Sequence, residues 1–370
     1  MSLPFKVLLV GPYPPPHGGI SVHVAVARAE LDRAGVECRV LNIARDAPPG
    51  GRYIRAGSAA RLLAVMVRHA RAGWTIHVHT NGHNLKSWAI ALLGGLAARA
   101  GCGGLLTLHS GLAPAWLRGG PRHGRWLARW TCALYDRIIA VSPAIRNAVA
   151  SLSVFPERLK VLPAFLPARA DRGALPPELS EWISERAPLL ATAIFFRPEY
   201  GFDLLLGALA ALRVRHPRLG CLVMGSGAPA AEAEARAWIR RAGLEENVLL
   251  LGDVPHAACL ALMQTAGVFV RPTREDGDAT SVREALALGT PVVASNVGNR
   301  PDEAVLFKAG AVEDLAAKLA AVLDRQAASG VKLGFAHAKA SRSDQTVARL
   351  LGIYHGVAES RTGRPRRAAA

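Results

Sequence analysis

A chain of 370 residues, half of them apolar, is too long for one ordinary core and suits two domains of α/β size. Its five cysteines (Cys38, Cys102, Cys132, Cys221, Cys259) are odd in number and widely spaced, which argues against a disulfide framework or zinc site and for reduced thiols in a cytosolic protein. The net charge of +17 is lopsided: residues 1–170 hold 21 Lys and Arg against 6 Asp and Glu, and residues 171–370 hold 24 against 22. A basic first half implies an anionic partner, whether membrane phospholipid, nucleic acid or a phosphorylated substrate.

Along the chain, apolar runs alternate with amphipathic helical stretches, the pattern of repeated βαβ units and parallel sheets. The first run, Lys6–Val10, reads as a strand with no signal peptide ahead of it. It leads into Gly11-Pro-Tyr-Pro-Pro-Pro-His-Gly-Gly-Ile20, where Gly18-Gly19 precedes a helix over Ser21–Ala34. Glycines at a helix N-terminus let backbone N–H groups approach an anion closely. Strands at Cys38–Ile43, Thr75–His79 and Gly104–Leu108 follow, with a helix over Leu85–Ala100 whose apolar run is too short to span a bilayer. His77 and His79 share the third strand, His83 lies just past it, and His109 follows the fourth. No Cys or acidic ligand accompanies this H-x-H spacing, so no metal site is expected.

Next, Ala115–Trp130 interleaves Trp116, Trp126 and Trp130 with Arg118, Arg122, Arg125 and Arg129. Trp beside Arg suits an anionic membrane interface, and a core-facing Trp pair with solvated arginines fits the same spacing. Single-stranded nucleic acid uses similar ingredients, but no nucleic-acid motif accompanies them and no such partner is expected. Strands at Arg137–Val141 and Leu159–Leu162 close the first half, and a break rich in proline (Pro163, Pro167, Pro176, Pro177) separates the two halves.

In the second half, strands at Leu189–Phe195, Gly220–Met224, Asn247–Leu251, Val268–Arg271 and Pro291–Ala294 alternate with helices at Phe202–Arg213, Ala230–Ala242 and Ala257–Ala266. Helices near Asp314–Ala327 and at Ser343–Tyr354 follow. The expected organisation is two doubly wound domains, 5–168 and 186–335, a closing helix within 336–357 and a disordered basic tail over 358–370. Such a pair places a ligand cleft between its domains, at the C-terminal strand ends. Gly225-Ser-Gly-Ala-Pro-Ala230 satisfies G-x-G-x-x-A and alone would suggest a dinucleotide fold with Asp253 as the ribose acid. Its place in the middle of the half, and the lateness of that acid, argue against NAD.

The run Arg271-Pro-Thr-Arg-Glu-Asp-Gly-Asp-Ala-Thr-Ser-Val-Arg-Glu-Ala-Leu-Ala-Leu-Gly-Thr-Pro-Val-Val-Ala-Ser295 is the most informative. Two acids, Asp276 and Glu284, stand eight residues apart across a glycine-containing loop that enters a helix over Ser281–Leu288. The helix N-terminus is a seat for phosphate; flanking carboxylates repel phosphate and suit the hydroxyls of an attached sugar. The run resembles the signature of family 4 glycosyltransferases of GT-B fold, Glu-x7-Glu followed by Ala-x-x-x-Gly-x-Pro-Val-Val-Ala-Ser. Glu284, Ala285, Gly289, Pro291, Val292, Val293, Ala294 and Ser295 match it; Asp276, beside Glu275, stands where the family has its first Glu.

The resemblance implies a retaining, metal-independent enzyme that takes a sugar from an NDP-sugar, needs no cofactor, and acts on a glycan or lipid-diphosphate-linked acceptor at the cytoplasmic membrane face. It implies that Asp276 binds donor-sugar hydroxyls, Glu284 the ribose, His109 the reaction centre, and Gly18-Gly19 the diphosphate and acceptor. The loop Gly277, Thr280, Ser281, Val282 would take the diphosphate. In the family, an Arg and a Lys also clamp that diphosphate. Here Phe195 and Tyr200 stand at those positions, with Arg197 two residues after the first. That departure leaves several readings open: a substitute cation such as Arg197, Arg271 or Arg274, an altered donor geometry, or an impaired enzyme. A weakly catalytic or non-catalytic nucleotide-binding GT-B protein and a nucleotide-sugar 2-epimerase are the alternatives.

Overall fold

The computed structural model describes residues 5–15, 17–44, 47–48, 52–101, 103–163, 177–329 and 341–362. Cys102, Pro167, Pro176 and the tail beyond Thr362 lie outside them. The chain forms two compact units, one of Met1–Phe165 with Arg342–Ala370, the other of Leu166–Ser341.

In the first unit, strands β1 (Lys6–Gly11), β2 (Glu37–Asn42), β3 (Ile54–Arg55), β4 (Trp74–Thr80), β5 (Gly104–Leu108), β6 (Arg137–Ala140) and β7 (Leu159–Val161) form a parallel sheet of order β3-β2-β1-β4-β5-β6-β7. β4 and β5 are buried along their whole length, because a parallel sheet is covered by helices on both faces and its strands read as near-continuous apolar runs. Side chains alternate between two layers. Leu8, Val10, Ile76 and Val78 enter one core; Val7 and Leu9 enter the other with Leu350, Tyr354 and Val357. Those last residues belong to the helix Ser341–Thr362, which packs on this unit although it comes last in sequence. It runs five residues into the stretch expected to be a disordered tail.

In the second unit, β8 (Leu189–Ala193), β9 (Gly220–Met224), β10 (Val248–Gly252), β11 (Val268–Arg271), β12 (Val292–Ser295) and β13 (Val305–Phe307) form a parallel sheet of order β10-β9-β8-β11-β12-β13. The short strands β3 and β13 have no counterpart among the expected elements; at two and three residues they are too brief to leave a period in the sequence. β8 stops at Ala193, short of the expected Phe195, and the chain then runs into the loop that carries Tyr200 and Gly201. In both sheets the order reverses beside the first strand, between β1 and β4 and between β8 and β11. Open α/β sheets bind ligands outside the C-terminal strand ends at such a switch point.

Candidate active site

At the switch point of the second sheet, the loops after β8, β11 and β12 converge. A Cβ on Gly201 would lie 2.1 Å from the Pro272 carbonyl oxygen, so only glycine lets these two loops touch. Tyr200 forms a T-shaped pair with Phe195 (5.7 Å), and the Arg271 guanidinium lies over its ring at 5.1 Å. Arg271, at the end of β11, donates from Nε to Asp276 Oδ2 (3.0 Å) and from Nη1 to the Ala193 carbonyl (2.6 Å). Arg300 donates from Nη2 to the same Asp276 oxygen (2.9 Å) and to Thr273 Oγ1 (3.1 Å). Thr273 Oγ1 donates to Oδ2 as well (3.3 Å), and the Gly277 amide donates to Oδ1 (3.0 Å).

Burial alone would raise the Asp276 carboxyl, but the charges and hydrogen bonds of Arg271 and Arg300 outweigh it and bring its pKa down to about 2. Asp276 is therefore ionised and held between two arginines; the exposed acid of this loop is Glu275. Of the other cations weighed from the sequence, Arg274 makes a two-point contact with Asp203 (2.8 and 2.6 Å). Arg197 is 61% exposed, over the Phe195 ring. Arg300 carried no sequence signal beyond its place in a loop after a strand.

The helix Thr280–Ala287 places Gly277 ahead of it and Thr280, Ser281 and Val282 in its first turn. Glu284 is buried, and its Oε1 meets His256 Nε2 at 2.7 Å. Burial pushes the His256 imidazole down, but the hydrogen bond and charge of Glu284 prevail and raise its pKa. His256 heads the helix His256–Thr265, distant in sequence, and sequence reasoning missed it. At the Gly225 turn, the Gly225 amide donates to the Gly252 carbonyl (2.7 Å), and Phe196 packs against Gly227.

At the switch point of the first sheet, Gly19 opens the helix Gly19–Arg33, with Gly18 bound through its amide to Ser21 Oγ (2.8 Å). A Cβ on Gly19 would meet nothing within 4 Å. Packing therefore does not require glycine there, whereas close approach of a ligand to backbone would. His23, on the inner face of this helix, joins His77, His79 and His109. His79 Nδ1 and His109 Nε2 are 3.1 Å apart, and the His23 and His109 rings meet edge to face at 4.7 Å. His77 bonds Tyr354 Oη (2.5 Å) and Thr107 Oγ1 (2.7 Å).

Burial drives all four imidazoles down, His23 to about 4 and His77 to about 3, with His79 and His109 well below the ordinary value; neighbouring imidazoles push His77, His79 and His109 further. The cluster is neutral at pH 7, so His109 is a hydrogen-bonding group there and not a cation. Neutral imidazoles also bind metals, and nitrogens of His23, His79 and His109 lie within 4.8 Å of one another. The sequence reading did not foresee this trio, because His23 is 56 residues from His79 and on another element.

The helix Arg122–Ala133 divides the three tryptophans expected to act together. Trp126 and Trp130 are 65% and 56% exposed and paired at 5.3 Å, beside exposed Arg122, Arg125 and Arg129. Trp116 instead stacks on the buried Trp88 (6.2 Å) and packs against the core, with exposed Arg118 near it in sequence. No helix among the described residues is long and apolar enough to cross a membrane.

Two parallel sheets, each with polar side chains gathered at its switch point, define a protein of two Rossmann-like domains. The family described as Glycosyltransferase Family 4 matches residues 17–167, and that described as Glycosyl transferases group 1 matches residues 183–333. The chain therefore belongs to the family 4 glycosyltransferases of GT-B fold. It is 30% identical over 230 residues to a D-inositol 3-phosphate glycosyltransferase of Segniliparus rotundus, covering 58% of this chain and 50% of that protein. It is also 30% identical to a GDP-mannose-dependent alpha-(1-6)-phosphatidylinositol monomannoside mannosyltransferase of Mycolicibacterium smegmatis, covering 61% and 60%. The matches thus span about half the length of such curated relatives. Among solved structures, sucrose-phosphate synthase of Thermosynechococcus elongatus has a TM-score of 0.73 at 19% identity, covering 96% of this chain and all of that one. Anabaena HepE in complex with UDP-glucose has a TM-score of 0.66 at 18% identity, covering 96% and 99%. At such identity these two share the fold.

Proposed function

We propose that this chain is a retaining glycosyltransferase that moves a sugar from a nucleoside-diphosphate sugar to a glycan or lipid-diphosphate-linked acceptor at the cytoplasmic membrane face. The observation that carries the reading is the buried Glu284, in the helix that follows the Asp276 loop, held at 2.7 Å by the half-buried His256 of another helix. A buried carboxylate held in one orientation by an imidazole is pre-set to accept the two hydroxyls of a ribose. The amides heading that helix suit the diphosphate. His109, neutral beside His79, faces the reacting sugar as a hydrogen-bond partner. Glycosyl transfer with a diphosphate leaving group is then a matter of position and electrostatics, without a metal or cofactor. That HepE was solved with UDP-glucose supports the donor class.

Thermal shift and hydrolysis with a panel of UDP-, GDP- and ADP-sugars test this directly: one base should stabilise the protein and be turned over. Glu284→Ala should keep its fold and lose both donor binding and transfer; unchanged turnover would sink the assignment. Phe195 and Tyr200 at the clamp positions favour a second reading, a nucleotide-binding protein of weak or no activity. Stabilisation by a nucleotide sugar without transfer or hydrolysis selects it. The membrane face is assigned to Trp126, Trp130 and the arginines beside them. Sedimentation with anionic liposomes should weaken with salt and with Trp126→Ala, and equal recovery on neutral liposomes would count against it.

A further inference from the structure

Two cations and one anion are buried together at the switch point of the second sheet. Arg271 and Arg300 both bind Asp276, and their side chains are 10% and 4% exposed. The trio carries one positive charge in excess. Asp278, the next acid in the loop, also acts on Arg300 by charge but is itself paired with Arg283 at 2.8 Å, so three arginines face two carboxylates and the excess stands. Tyr200 adds no negative charge, since burial raises its hydroxyl. A buried excess charge is costly unless something neutralises it. The same side chain also holds an unfilled donor: Arg300 Nη1 is buried with no hydrogen-bond partner among the described residues. An unpaired buried donor is costly, and more so when it is charged.

Arg300 is tied to the helix-entry loop by backbone. Gly298 has φ +77°, and a Cβ there would lie 2.6 Å from the Gly277 carbonyl oxygen, which accepts the Asn299 amide at 2.7 Å. This loop leads into the N-terminus of the helix Thr280–Ala287. The excess charge, the unfilled donor and the helix N-terminus therefore share one loop pair at the C-terminal ends of β11 and β12.

We propose that Arg300, braced by Asp276 and backed by Arg271, is the cation that grips the phosphates of a nucleoside diphosphate in this chain, in place of a clamp at Phe195 and Tyr200. The proposal rests on the glycosyltransferase reading. Asp276 fixes the guanidinium through Nη2, which leaves Nη1 for a phosphate oxygen, and a planar fork suits that partner. The phosphate neutralises the excess charge and fills the donor together. Because Nη1 is shut off from water, the Gly277 and Gly298 turns part as phosphate enters, and nucleotide binding changes hydrogen exchange at those amides.

The test compares Kd values of a nucleoside, its monophosphate and its diphosphate, using whichever of uridine, guanosine or adenosine binds the native chain. Arg300→Met should weaken diphosphate binding by about tenfold to a hundredfold, leave nucleoside binding unchanged and flatten the salt dependence. Equal loss of nucleoside and diphosphate affinity, or undiminished diphosphate affinity in the folded variant, overturns the proposal. Arg300→Lys serves if Arg300→Met does not fold: it keeps the charge but loses the fork, so the same selective loss is expected, smaller, and full diphosphate affinity overturns the proposal. Tyr200→Lys added to the weakened variant should restore part of the diphosphate affinity, which a merely structural Arg300 would not allow. If none of the three diphosphates binds the native chain, the glycosyltransferase reading itself falls, and this proposal with it.

Discussion

The two sheets share one topology at their switch points and handle polar burial in opposite ways. In the first unit, three buried imidazoles and the half-buried His109 are kept by removing charge: desolvation makes protonation unfavourable, and the cluster stays neutral. In the second, the charges are kept and paired, with Asp276 held between Arg271 and Arg300. A neutral cluster suits hydrogen bonds to sugar or acceptor hydroxyls, whereas a cationic one suits phosphate. On the function proposed above, nucleotide phosphate falls to the second unit and hydroxyl recognition to the first.

The largest effect should come from breaking the charged side of this comparison. Asp276→Asn leaves two buried arginines without their anion and should cost about 3–5 kcal/mol of stability, read by chemical denaturation. A loss under 1 kcal/mol would mean that the pair is already neutralised some other way. Acid should act on the neutral side first. The folded histidines have lowered pKa values, so the unfolded chain binds more protons below about pH 6.5. Their stability contribution is complete above that pH and is lost as pH falls towards 4 for His23 and 3 for His77. Asp276 has the same sign but a lower window, from its ordinary value down to about 2. Denaturation at pH 7.5, 6 and 5 should show a progressive decline that His77→Gln flattens; a profile level down to pH 5 would show that the imidazoles are charged in the folded protein.

Smaller effects sharpen the division further. Tyr354→Phe removes a buried hydroxyl from His77 and should cost about 1 kcal/mol in thermal unfolding, with an intact Kd for nucleoside diphosphate. Gly19→Ala should leave stability unchanged or raise it by about 0.4–1 kcal/mol, since its Cβ meets nothing, while raising KM for donor or acceptor. An unchanged KM would make Gly19 a plain turn residue. The least effect is expected from chelation: EDTA should not alter the transfer rate, and a rate lost with EDTA and restored by zinc would make His23, His79 and His109 a metal centre.

Much of the fold was legible because parallel strands and covering helices write long periodic patterns. Eleven strands and the Glu284 helix follow from apolar runs and from Gly289 and Pro291; β3 and β13 do not, since two or three residues carry no period. The acids at 276 and 284, Gly18-Gly19 and His109 were legible as residue types at strand ends. Their partners were not. His256 reaches Glu284, His23 reaches His109, and Arg300 reaches Asp276 across 28, 86 and 24 residues, and spacing along a chain does not encode such meetings. The sequence by itself determined the class of fold, the excess positive charge and the absence of the usual clamp. Only the tertiary structure decided that Asp276 braces arginines and that Trp116 parts from Trp126 and Trp130. Burial and charge pairing depend on which loops the sheet brings together, and that is fixed by strand order, not by the local run of residues.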